Sequence, residues 1–295
     1  MTTAAQASSG KTHRDENFPV ASALIAPRHR GVILAFYRFV RAADDVADNA
    51  SLGEAEKLAL LGQLEQGLLG AHDLEPDATA LRRALAKRTL SPRHAQDLLA
   101  AFRLDATKRR YRDWEELIGY CSYSAMPVGR FVLDVHGESR DTWRANDALC
   151  AALQIINHLQ DCAADYRNLD RVYVPLDALA REGLGVEALA APKASPALRR
   201  CLRHLTERTA ALLDEAEPFS AQIRDRRLGL EVAAIHRLAR TLIAVLRRRD
   251  PLADRVHLTK PGFLGIALIG IGEGLIRRTL PGIAGRVRKP SMREG

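Results

Sequence analysis

Two stretches of this chain place charged and hydrogen-bonding side chains along one side of an otherwise apolar helix. In the first, Tyr37, Arg41, Asp44 and Asp48 recur at i, i+4, i+7 and i+11, set among the apolar residues Val32, Ile33, Phe36, Phe39, Val40 and Ala43. In the second, Gln154, Asn157, Asp161 and Asp165 recur at i, i+3, i+7 and i+11. At about 3.6 residues per turn each set makes a single stripe about 16 Å long. Such a stripe is costly inside a protein unless positive charge or hydrogen-bonding groups lie against it. Two carboxylate-bearing faces meeting across a cavity make a site for hard divalent cations and the diphosphate they hold.

The remainder of the sequence is helical in character. Only 5% of residues are aromatic, Ala and Leu are abundant, and β-branched runs are few. Periodicity predicts helices over residues 27–47, 113–135, 141–168, 196–218 and 224–249. Ser51 followed by Glu54 predicts a capping box opening a helix that runs to about Gly70, and Ser91 before Pro92 starts another. The only strand-like run, residues 171–175, is too short to build a sheet. A longer loop is expected around residues 183–195. No internal repeat or break in composition divides the chain. The expectation is an all-α, single-domain helical bundle enclosing a hydrophobic cavity, with a disordered tail at 1–16, the domain at 17–285 and a basic tail at 286–295.

A net charge of +8 suits an anionic substrate or an anionic membrane surface. Nucleic acid is not an expected partner, because no binding motif is present and the basic residues are scattered. Cys121, Cys150, Cys162 and Cys201 lack metal-ligand spacing or a paired framework, which predicts reduced thiols in a cytoplasmic protein. Residues 1–16 are polar and small, without the apolar segment of a signal peptide. Residues 263–276 are largely apolar but include four glycines and Glu273, and fall short of the ~20 residues of a spanning helix. They admit two readings. One is a buried helix. The other is an interfacial segment flanked by Lys260 and by Arg277, Arg278, Arg286 and Arg288, which would give peripheral contact with the inner membrane.

Magnesium prefers oxygen ligands and keeps several waters, using one or two carboxylates together with substrate phosphate. Asp44 with Asp48, and Asp161 with Asp165, are each four apart and project to one side. Either pair alone also fits a solvated acidic face; two pairs at the ends of matching stripes favour metal. Asp45 lies about 100° off its stripe and is not needed as a ligand. The guanidinium groups of Arg41 and Arg171 match exposed diphosphate oxygens. Tyr37, Tyr120, Tyr123 and Tyr173 are four of only six tyrosines, and ring faces stabilise cations. His158 lacks a companion ligand and is expected to pack or to hydrogen-bond.

Three segments then carry a resemblance: FYRFVRAADDVAD (36–48), YCSYSAMPVG (120–129) and QIINHLQDCAADYRNLDRVYVP (154–175). In order and spacing they resemble the squalene and phytoene synthase family of isoprenoid synthases, over roughly residues 16–249. The resemblance implies that fold, and two or three Mg²⁺ ions held by Asp44, Asp48, Asn157, Asp161 and Asp165. It implies diphosphate contacts from Arg41, Asn157, Arg171 and Tyr173, and a reacting centre lined by Tyr37, Arg41, Tyr120 and Gln154. Ser124, Met126 and Pro127 in the middle motif, with ENFPVAS at 16–22, are similar to a bacterial branch of the hopanoid pathway. That branch ionises presqualene diphosphate, rearranges the cation and captures it with water as hydroxysqualene, with Ser124 or Gln154 the candidate for orienting the water. No nicotinamide is expected, and no glycine-rich dinucleotide fingerprint is present. Functional coupling to a presqualene diphosphate synthase and a hydroxysqualene reductase is implied. The alternatives are a synthase condensing two farnesyl or geranylgeranyl diphosphates head to head, and a non-catalytic helical assembly subunit.

Overall fold

Helices account for the whole architecture of the computed structural model, which describes residues 25–279 and has no β-strand among them. In chain order they are α1 (Pro27–Asp48), α2 (Glu54–Leu69), α3 (Pro76–Ala86), α4 (Arg93–Thr107), α5 (Trp114–Ser124), α6 (Met126–His136), α7 (Trp143–Leu169), α8 (Leu176–Arg181), α9 (Pro196–Glu215), α10 (Phe219–Gln222), α11 (Arg226–Leu246) and α12 (Lys260–Thr279). The all-α expectation holds. The expected tails and the 16–22 segment lie outside the described residues.

Local chemistry explains most helix ends. The Asp113 carboxylate opens α5 by accepting from Glu116 N–H at 2.8 Å, and Ser195 opens α9 by accepting from Leu198 N–H at 3.1 Å, with Pro196 in the first turn. Asp225 opens α11 by accepting from the N–H groups of Arg227 and Leu228. The capping box of α2 falls two residues later than expected. Glu56 accepts from Gly53 N–H at 2.9 Å, whereas Ser51 turns back to Asn49. The helix expected over 113–135 is two helices, because Pro127 has no N–H to continue the ladder and the backbone breaks at Ala125, at φ −126° and ψ −48°. The short helices α3, α8 and α10 were not foreseen.

Two apolar clusters form. The first packs α1–α4 around Phe39, Leu61, Leu64, Leu81 and Leu99. The second packs α5 and α7–α11 around Ile155, Ile156, Leu198, Leu213 and Leu238. Helix α6 serves both, giving Phe131 and Val135 to the first and Met126 and Leu133 to the second. Phe131 stacks on Phe36 of α1 at 3.9 Å between ring centroids. The strand-like run pairs only once, through a parallel bridge between Arg110 and Val172. Val172 N–H donates to Arg109 carbonyl at 2.9 Å and Leu176 N–H to Tyr111 carbonyl at 2.9 Å, lashing the chain after α7 against the α4–α5 connection.

The buried-helix reading of residues 263–276 does not hold. Helix α12 lies on α11 through Gly270 and Gly274, where an added Cβ would meet α11 atoms at 2.8 Å. Its larger apolar side chains point away: Leu264, Leu268, Ile269, Leu275 and Ile276 are each about half exposed or more. No helix among the described residues is long and apolar enough to cross a membrane.

Candidate active site

Between the two clusters lies a cavity of about 310 Å³. Ile33, Phe36 and Val40 of α1, Val128 and Val132 of α6, Leu149 and Leu153 of α7, and Val232 and Ile235 of α11 make its wall apolar. Tyr37 of the first stripe, with Gln154 and Asn157 of the second, line it as well. Each stripe then continues toward the C-terminal end of its helix, to Asp44 and Asp48 on α1 and to Asp161 and Asp165 on α7. Arg171, just past the end of α7, ties that end to α1: its backbone N–H donates to the Asp165 carbonyl at 3.1 Å, and its guanidinium binds the Asp48 carboxylate at 2.5 Å and the Ala47 carbonyl at 2.8 Å.

The acidic end is already laced with positive charge. Arg41 bridges Asp44 at 2.8 Å and Asp45 at 2.7 Å. Asp45 is buried in that contact, consistent with its place off the stripe. Desolvation first, and the neighbouring Asp48 second, push the Asp44 carboxyl up to about 7. Arg171 is 5% exposed. Burial works against its charge, but Tyr173, Asp105 and Asp48 around it hold the guanidinium more firmly protonated than usual.

Two residues of this region, Asp105 and Tyr111, carry no signal in the sequence. Asp105, on the buried side of α4, accepts from the Tyr120 hydroxyl at 2.9 Å and the Tyr173 hydroxyl at 2.8 Å. Burial raises its carboxyl above the usual range. Tyr111, also unforeseen, stacks on Tyr173 at 5.5 Å, and His158 stacks on the other side of that ring at 3.6 Å. His158 Nε2 lies 3.1 Å from Gln154 Nε2, so the histidine packs and hydrogen-bonds as expected. Tyr120 and Tyr173 are thus held behind the site by Asp105 and are not part of the cavity lining, whereas Tyr123 is exposed. Ser124 lines the cavity, and its buried hydroxyl oxygen has no hydrogen-bond partner among the described residues. Gly129 is required where it stands: a Cβ there would lie 1.9 Å from Asn146 Oδ1.

The donor set fits a hard divalent ion, being four carboxylates and one amide oxygen with no thiolate among them; the His158 imidazole stands next to it, its Nδ1 3.9 Å from an Asp165 carboxylate oxygen. The buried Arg171 Nε, which has no acceptor among the described residues, fits an anion beside it. Among the described residues, the group of three ligand side chains whose donor atoms lie within 4.8 Å of one another is His29, His136 and Asp225, away from the stripes. Arg28 and Arg88 already approach the two ring nitrogens of His29, at 2.9 and 3.1 Å, which disfavours a cation there.

An all-helical bundle with an apolar cavity lined by the first members of two stripes, Tyr37 on one and Gln154 and Asn157 on the other, points to a class, and comparison with known proteins agrees. The chain belongs to the squalene/phytoene synthase family, whose model matches residues 11–261. Among curated relatives, a hydroxysqualene synthase of Rhodopseudomonas palustris is 57% identical over 95% of this chain and 96% of its own. Another hydroxysqualene synthase, from Sinorhizobium fredii, is 52% identical over 92% of each. Among solved structures, a squalene synthase HpnC from Alicyclobacillus acidocaldarius superposes with a TM-score of 0.71 at 31% identity, over 83% of this chain and 92% of that one. A dehydrosqualene synthase shares the fold, with a TM-score of 0.76 at 23% identity. The chain is therefore an enzyme of isoprenoid biosynthesis.

Proposed function

We propose that this enzyme converts presqualene diphosphate and water to hydroxysqualene and diphosphate. The observation that carries the reading is that the apolar cavity is lined by Tyr37, Gln154 and Asn157, the members of the two stripes that precede their aspartates along α1 and α7. It lets one prenyl diphosphate keep its hydrocarbon in the dry space and its charged end among the carboxylates and arginines. Similarity to hydroxysqualene synthases supports this substrate over a pair of farnesyl or geranylgeranyl diphosphates.

Asp44, Asp48, Asn157, Asp161 and Asp165 are the residues that would hold divalent metal, taken as two or three Mg²⁺. When bound, the metal supplies positive charge to the leaving diphosphate. Arg41 and Arg171 hold the diphosphate oxygens, and Asn157 orients them from the cavity edge. Tyr173 and Tyr120, fixed by Asp105, keep Arg171 and the wall of α5 in place. Tyr37 presents its ring where the substrate's reacting carbons enter the cavity, and Gln154 sits beside it. The apolar wall excludes bulk water, so the cation rearranges before it is quenched. No reductant is consumed, and no nicotinamide is needed. Such an enzyme couples to one that makes presqualene diphosphate and one that reduces hydroxysqualene.

We also place it in the cytoplasm, in peripheral contact with the inner membrane. The exposed apolar face of α12 fits a lipid surface, and the net positive charge suits anionic headgroups.

The deciding experiment is mass identification of products from presqualene diphosphate with Mg²⁺, with and without a reductant, and from farnesyl diphosphate alone. Hydroxysqualene independent of reductant is expected. Consumption of farnesyl diphosphate without a partner enzyme would establish the condensing alternative instead. Asp161→Asn should lower turnover by at least ~100-fold while the fold survives, the scale of losing one electrostatic element.

A further inference from the structure

Helix α11 faces the cavity with Leu228, Val232 and Ile235, and within that apolar stripe stands Glu231. It is 3% exposed and is the one carboxylate among the described residues that line the cavity. A leucine there would satisfy the packing; the carboxylate puts a proton acceptor into an otherwise apolar wall. Its position also separates it from the aspartates of the stripes. Those lie where the anionic leaving group sits; Glu231 lies beside the hydrocarbon, where positive charge develops.

Resting on the water-capture reading above, we infer that Glu231 is the general base that orients and deprotonates the water ending the reaction. A carboxylate touching the cation directly would take a proton from a neighbouring carbon and leave an alkene. With one water between them the outcome changes. Glu231 accepts a hydrogen bond from that water and turns its lone pair toward the cation. The lone pair forms the new C–O bond, one O–H bond breaks, and the proton passes to the Glu231 carboxylate. The neutral acid returns its proton to solvent as product leaves. The Ser124 hydroxyl, on the same cavity and without a partner among the described residues, is placed to complete the water's hydrogen bonds.

The test uses the full chain with presqualene diphosphate and Mg²⁺, and reads diphosphate release separately from the ratio of alcohol to hydrocarbon products. For Glu231→Gln, release should stay within about tenfold of wild type while the alcohol-to-alkene ratio falls at least about tenfold; Glu231→Asp should recover part of that ratio. An unchanged ratio in Glu231→Gln overturns the inference, as does loss of diphosphate release in a folded variant. If Glu231→Gln does not fold, the wild type still decides: in D₂O its alcohol fraction should drop by about twofold, and an unchanged fraction overturns the role. A wild type that makes no hydroxysqualene at all refutes the proposed reaction itself, and so is distinguishable from failure at Glu231.

Discussion

Asp105 accepts two phenol protons at once, so its loss takes the shared acceptor away from two buried hydroxyls. Each unsatisfied buried group costs about 1–3 kcal/mol. Asp105→Ala should therefore destabilise the protein by on the order of 2–5 kcal/mol in urea denaturation. In a double-mutant cycle, Asp105→Ala and Tyr173→Phe should show a coupling of at least ~1 kcal/mol; additive effects would mean that the network does not hold the tyrosine. The contrast with Asp44 explains what a sequence reveals at this scale. Asp44 was legible because its neighbours repeat at helical spacing, and periodicity survives in one dimension. Asp105 and Glu231 stand singly on amphipathic helices, where a lone polar residue reads as solvated, and Tyr111 stands in the connection between α4 and α5. Their meaning comes from residues far along the chain.

Among the elements, the long helices were visible because their apolar period runs over many turns. Short ones such as α8 and α10 were not, since so few residues cannot display a period. The break at Ala125 was overridden in the reading by the apolar pattern on both sides, although Pro127 marked it. The contact between α1 and α6 gives a prediction of its own. His29 sits buried against the His136 ring at 4.2 Å. Burial first, then His136, Arg28 and Arg88, lower its pKa to about 4, with Asp225 opposing. A histidine held neutral in the folded state contributes stability that is full above its unfolded pKa near 6.5 and is lost as pH falls toward 4. Stability should fall across that window by up to about 3 kcal/mol, and His29→Gln should flatten the slope. Parallel pH profiles for the two proteins would remove His29 as the cause.

For the molecule as a whole, charge and the outward face of α12 bear on where it works. Wild-type protein should sediment with vesicles of phosphatidylglycerol and phosphatidylethanolamine. Replacing Leu264, Leu268 and Leu275 with serine should cut the bound fraction by roughly tenfold or more, given about 1.5 kcal/mol or more for each buried apolar side chain. A triple variant that binds as well as wild type would refute the lipid-facing role. The sequence offered both readings of this helix and decided between neither, because the glycines that seat it on α11 show their purpose only against their neighbour.

The placement of α6 between two apolar clusters has a consequence for how such enzymes diversify. Because each cluster packs largely on its own and the hollow lies at their junction, its width follows from how far apart the clusters sit. A small rigid displacement of one cluster against the other, taken up along α6, lengthens or shortens the space offered to a hydrocarbon while both interiors keep their neighbours. Evolution toward a different prenyl chain length then has a single mechanical coordinate to act on, in place of many compensating substitutions.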